Sequence, residues 1–138
     1  MKRNNILTDH TLIINKLEKS IKIHNWNFIL PFLPKGSYLV GGYIRDVILK
    51  RVTEEVDVDI VVPFNAIEIG KMISENIKSK FIILDKEREV VRIILNHISI
   101  DIANQVSSTI EGDLFSRDFS INSIAFLFDK KILFDPLN

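Results

Sequence analysis

Two aspartates one residue apart, Asp57-Val58-Asp59, sit inside the β-branched run Val56-Asp57-Val58-Asp59-Ile60-Val61-Val62. Successive side chains of a strand point to opposite faces. Asp57 and Asp59 therefore share one side, while Val58, Ile60 and Val62 face the other. Paired carboxylates repel each other, and a divalent cation resolves the conflict; oxygen donors suit Mg²⁺. Alone, the pair reads equally well as a strand end with two solvated aspartates. Gly41-Gly42 lies between a strand-like and a helix-like segment, where missing Cβ atoms let a ligand approach the backbone and a helix start favours anions. Arg45, one helical turn on, is within reach of a phosphate bound there. Without Arg45 and the carboxylates, Gly-Gly is only a tight turn. A third polar set, Arg117, Asp118 and Asn122, stands among Phe119, Ile121, Ile124 and Phe126. Asp118 and Asn122 are four apart and share a helix face, though a cap and a buried polar group explain them as well. Asp101, between Ile100 and Ile102, is a possible third carboxylate or a solvent-face residue. His10, His24 and His97 have no ligand spacing and read as surface residues. No Ser, His or Cys arrangement suggests covalent catalysis.

These residues need elements to hold them. Residues 10–23 have helical spacing through Ile13, Leu17 and Ile21, with lysines off that line, which reads as a packing helix. Pro31, Pro34 and Lys35-Gly36 break the chain into a loop. Ser37 to Val40 reads as a short strand. Tyr43 to Lys50 reads as a helix with Ile44, Val47 and Ile48 on one face, and Val56 to Val62 as a strand ended by Pro63. Residues 65–79 follow as a helix with Ile69, Met72, Ile73 and Ile77 inward. Strands are expected over Lys80 to Leu84, Glu89 to Leu95 and Ile98 to Ala103, with a turn at Asn96-His97. Asp113 to Ile124 reads as a loop entering a helix. Ala125 to Phe128 and Ile132 to Phe134 read as a closing hairpin. The mixture is one α+β domain without internal repeats.

Length and composition narrow the options. The chain has 138 residues, 46% hydrophobic and 26% charged, the mix of a folded globular domain. Eighteen Lys+Arg balance 18 Asp+Glu, so there is no basic excess for general nucleic-acid binding. With no cysteine, disulfides, zinc knuckles and thiol catalysis are excluded, which fits a reducing cytoplasm. No apolar stretch approaches the roughly 20 residues of a membrane span, and the N-terminus has no signal-peptide core.

The motifs together resemble a known family. Leu39-Val40-Gly41-Gly42-Tyr43-Ile44-Arg45-Asp46 is similar to the LVGGxVRD signature of the bacterial-type tRNA nucleotidyltransferase and poly(A) polymerase family. Asp57-Val58-Asp59-Ile60-Val61 resembles that family's DxD metal strand. The segment from Asp113 to Ala125, DLFSRDFSINSIA, resembles its DLxxRDFTINAIA motif, and Phe134-Asp135-Pro136 its closing strand. The resemblance runs from about Tyr38 to the C-terminus and extends to cyanobacterial-type members, which share the length of the loop before the carboxylates. It implies a polymerase-β-type nucleotidyltransferase fold, a small mixed sheet backed by helices. Asp57 and Asp59 would be catalytic and bind Mg²⁺. Gly41, Gly42, Arg45 and Arg117 would hold the triphosphate of CTP or ATP, and Asp118 and Asn122 would shape the nucleotide pocket. Asp46 would anchor the helix and loop. The implied reaction is attack of an RNA 3′-hydroxyl, that of a tRNA CCA end, on the α-phosphate, with two metals roughly 3.5–4 Å apart.

The sequence also departs from the family pattern. Lys50 stands where the family usually has Gly, which predicts a differently turned loop. The loop before the carboxylates is about two residues longer than in many members, so Glu55 and Asp57 are an alternative ligand pair. The family's neck, body and tail, which select the base and grip tRNA, have no counterpart in the chain. The expectation is thus a 38–138 head domain with residues 1–37 as a helical extension packed on it. A poly(A) polymerase head and a non-catalytic nucleotide-binding module are the alternatives. A superfamily member with a small-molecule acceptor is disfavoured by the RDFSIN motif.

Overall fold

A computed structural model describes residues 2–110, 112 and 124–135. Helix α1 (Lys2–Ile23) leads through a 3₁₀ turn (Asn27–Phe32) into β1 (Tyr38–Val40) and the short helix α2 (Gly42–Ile48). Strand β2 (Val56–Val62) and helix α3 (Ala66–Ile77) follow. Strands β3 (Lys80–Asp85), β4 (Val90–Leu95), β5 (Ile98–Asn104), β6 (Ala125–Leu127) and β7 (Ile132–Phe134) complete the described elements. The seven strands form one sheet in the order β3-β4-β5-β2-β1-β6-β7. Only β2 and β5 run parallel; the other neighbours are antiparallel. The α+β expectation holds, with a mixed sheet backed by helices.

Strand alternation divides the sheet into two unlike faces. Val56, Val58, Ile60 and Val62 of β2 join Ile100 and Ile102 of β5 and Val91 and Ile93 of β4 in the main core. Helices α1, α2 and α3 cover this face with Leu17 and Ile21, Tyr43, Ile44 and Val47, and Ala66, Ile69 and Ile73. Among the described residues the other face buries a small cluster, Val40, Val61, Ile110 and Ala125, at the β1–β6 side. The rest of that face carries Asp57, Asp59, Asp101 and Arg92. Burying one face while leaving the other open is what lets carboxylates stand on a central strand without the cost of a dry interior.

Several expectations are corrected. Helix α1 begins at Lys2, eight residues before the helix read from its apolar spacing. Pro31 lies inside a 3₁₀ turn, whose looser hydrogen bonding tolerates it. Met72 is 46% exposed, because the buried stripe of α3 runs through Ala66, Ile69, Gly70, Ile73 and Ser74. Lys50 does not redirect the loop. It takes the left-handed φ of +54° that a glycine would take there. Its N–H donates to the Val47 carbonyl (3.2 Å) and the Arg51 N–H to the Asp46 carbonyl (2.7 Å), the paired bonds of a Schellman helix end. Among the described residues no helix is long and apolar enough to cross a membrane.

Candidate active site

The register of the sheet assembles the polar face. Asp59 lies opposite Asp101 on β5 and opposite Val40 on β1, and Asp57 lies opposite Ser99. Asp101 in turn lies opposite Arg92 on β4. One row across four strands therefore reads Arg92, Asp101, Asp59, Val40. The residue after Val40 is Gly41, so the row ends at the turn that starts α2.

That turn requires glycine on two counts. Gly41 has φ +81° and ψ −159°, a region closed to residues with a Cβ. A Cβ placed there would also stand 2.8 Å from Asp59 Oδ2. The Asp59 carboxylate thus packs directly against the Gly41 backbone. Gly42 is the first residue of α2, and a Cβ on it would meet Arg45 Nη2 at 2.8 Å. The Arg45 guanidinium folds back over Gly42 and pairs with Asp46, with Nε donating to Oδ1 at 3.2 Å. Arg45 is about one third exposed, so it can reach a ligand at the turn by giving up a weak surface pair.

Asp57 is exposed and Asp59 partly exposed. Glu55 precedes β2 and is exposed; Asp59 is the carboxylate that meets the Gly41 turn. Asp101 is held by a bidentate pair. Arg92 Nε donates to Oδ1 at 2.7 Å and Nη2 to Oδ2 at 2.9 Å. The Asp101 hydrogen bonds and charge raise the Arg92 pKa, with smaller contributions from the charges of Asp57 and Asp59. All three carboxylates therefore act on one guanidinium. An open concavity of about 630 Å³ adjoins them, lined by Val40, Asp59, Arg88, Asp101, Asn104 and Gln105 among others. Arg117, Asp118 and Asn122 lie outside the described residues.

Among the described residues no three acidic, imidazole or thiol groups form a ready-made cage for a hard divalent cation. Asp57 and Asp59 nonetheless supply the oxygen donors such an ion takes, on an open face, and the bare Gly41 backbone leaves the Asp59 carboxylate its place. The residues present fit the ion. Sequence reasoning missed Arg92, because one arginine in an alternating strand reads as a solvent-face residue. The signal was the Asn96-His97 turn. A two-residue turn pairs positions equidistant from it, Leu95 with Ile98 and, three steps outward, Arg92 with Asp101.

Fold and face together define a polymerase-β-type nucleotidyltransferase head. The poly(A) polymerase head domain family matches residues 37–138. The CC-adding tRNA nucleotidyltransferase of Synechocystis is 41% identical over 110 residues, 80% of this chain and 26% of that protein. A CCA-adding enzyme of Thermotoga maritima complexed with tRNA has a TM-score of 0.61 and 37% identity, covering 72% of this chain and 24% of that one. A CCA-adding enzyme complexed with CTP gives a TM-score of 0.61 at 36% identity, with the same coverage. The chain belongs to the poly(A) polymerase head domain family. It spans about a quarter of the length of the curated relatives it matches.

Proposed function

We propose that this chain is the catalytic head of a template-independent RNA nucleotidyltransferase. It transfers CMP or AMP from CTP or ATP to an RNA 3′-hydroxyl, releasing pyrophosphate, with the tRNA 3′ end on which CCA is built as acceptor. The observation that carries the reading is the contact of the Asp59 carboxylate with the Gly41 backbone. It joins the carboxylate strand to the glycine turn, so that groups for a metal and groups for a triphosphate face one place. The CC-adding relative favours a tRNA acceptor over a poly(A) tail. Residues 38–138 are taken as the head and 1–37 as its helical extension, working in the cytoplasm.

Each residue then has a defined task. Asp57 and Asp59 would hold Mg²⁺, which would supply a lowered pKa to the attacking 3′-hydroxyl and charge neutralisation to the triphosphate and leaving group. Gly41 and Gly42 keep the backbone bare where the triphosphate docks, and Arg45 closes on its oxygens. By the resemblance of their motif, Arg117 would bind the triphosphate and Asp118 and Asn122 the nucleotide; all three lie outside the described residues.

The test joins this chain to the remaining regions of its CC-adding relative and follows labelled CMP onto tRNA. Asp57→Ala and Asp59→Ala are each expected to lower the rate by about 100-fold or more, with circular dichroism melting unchanged. Full activity in the double variant overturns the metal reading.

A further inference from the structure

Among the described residues, three carboxylates and the Arg92 guanidinium share the open face of the sheet, and both oxygens of one carboxylate accept from that guanidinium. Asp101 stands directly beside Asp59 in the parallel register, the position from which a third ligand to a common ion would come. Yet both of its oxygens accept from Arg92, at 2.7 and 2.9 Å. The side chains are 41% exposed for Arg92 and 24% for Asp101, so the pair is open to water and to exchange. Arg88 lines the neighbouring concavity together with Asp59 and Asp101. Arg92 is the guanidinium on which the charges of Asp101, Asp57 and Asp59 all act. Without it, three carboxylates would face one another.

We propose that Arg92 is a built-in counter-cation that competes with divalent metal for Asp101, so that Asp101 ligates metal only when Arg92 lets go. The proposal rests on the carboxylate-site reading given above and adds a residue that sets its metal affinity. Arg92 is a positioning residue here, acting through Asp101. The bidentate fork fixes the Asp101 carboxylate beside Asp59. Its positive charge also opposes a metal ion on the same face.

The experiment titrates the full 138-residue chain with Mn²⁺ and reads free ion by electron paramagnetic resonance, with no nucleotide and no activity involved. Arg92→Met is expected to tighten Mn²⁺ binding about tenfold, since removing a unit charge beside a divalent ion is worth that much even with strong screening. Arg92→Gln, which keeps a polar side chain on the open face, is measured in parallel, and either folded variant suffices. The double variant Arg92→Met, Asp101→Asn is expected to return to within about twofold of the parent, because it removes a neutral pair. Asp59→Asn should lose binding. Unchanged affinity in Arg92→Met, with binding still lost in Asp59→Asn, overturns this proposal and leaves the site reading standing. A double variant far weaker than the parent also overturns it, because Asp101 would then already be a ligand. No Mn²⁺ binding to parent or variant overturns both.

Discussion

At the scale of single residues, two adjacent glycines carry different constraints. Gly41 is fixed by its own backbone and by the carboxylate of Asp59 against it. Gly42 has helical backbone, and the only atoms in the way of a Cβ belong to the movable guanidinium of Arg45. Gly41→Ala is therefore expected to cost about 2 kcal/mol of stability or more, read by urea unfolding, and to push the Asp59 carboxylate off its position. Gly42→Ala is expected to stay within about 1 kcal/mol of the parent, while weakening triphosphate binding because Arg45 must move. Equal losses at both positions would mean that the turn is not built as described. The Asp57 and Asp59 alternation was legible because a period of two follows from strand geometry alone. The contact of Asp59 with Gly41 was not, since it depends on β1 and β2 being antiparallel neighbours in one particular register.

At the scale of elements, helix ends show how local sequence and tertiary context divide the work. The end of α2 is a Schellman turn with Lys50 at the left-handed position. Lys50→Gly is expected to stabilise the chain by up to about 1 kcal/mol, because glycine enters that region without a Cβ penalty. The start of α3 is capped from a distance. Asn65 is itself left-handed and makes no side-chain cap. Instead Asn104 Oδ1 accepts from the Ala66 N–H at 2.9 Å, and Glu89 Oε1 accepts from the Ile67 N–H at 3.3 Å. Asn104 Nδ2 also donates to Glu89 Oε2 at 2.8 Å, tying the two caps together. Asn104→Ala is expected to cost about 1 kcal/mol, seen as a lower midpoint in thermal melting. Strands and helices were legible from periodicity. Caps supplied by the residue before β4 and the last residue of β5 were not, because nothing local to residues 65–67 points 20 to 40 residues down the chain.

At the scale of the molecule, the N-terminal segment is part of the head's core. Trp26 is fully buried and meets Tyr43 of α2 edge-on at 5.3 Å and Phe128 after β6 at 6.3 Å. The Tyr43 hydroxyl meets Ser20 Oγ of α1 at 2.5 Å, and burial raises the Tyr43 pKa against the lowering effect of its hydrogen bonds. The segment before Tyr38 matches no signature in the sequence, yet it holds the helix that begins at the glycine turn. Trp26→Ala is expected to cost about 3–5 kcal/mol, a large share of the stability of a domain this size.

Catalysis sets a further requirement, the positioning of the attacking hydroxyl. The described face offers carboxylates for metal and a turn for triphosphate, but the charge of the whole chain is balanced, so no electrostatic surplus holds an RNA backbone. Positioning an attacking hydroxyl accounts for roughly 7–11 kcal/mol of barrier reduction in well-oriented reactions. Residues 1–138 alone are therefore expected to bind CTP and ATP with little preference between them, and to extend tRNA weakly or not at all. Joining the remaining regions of the CC-adding relative should restore addition, measured as labelled nucleotide on the tRNA 3′ end. Strong base selectivity in the isolated chain would place a base-reading site within it. Efficient tRNA extension by the isolated chain would place the RNA-gripping residues there too, on a surface that carries no excess positive charge.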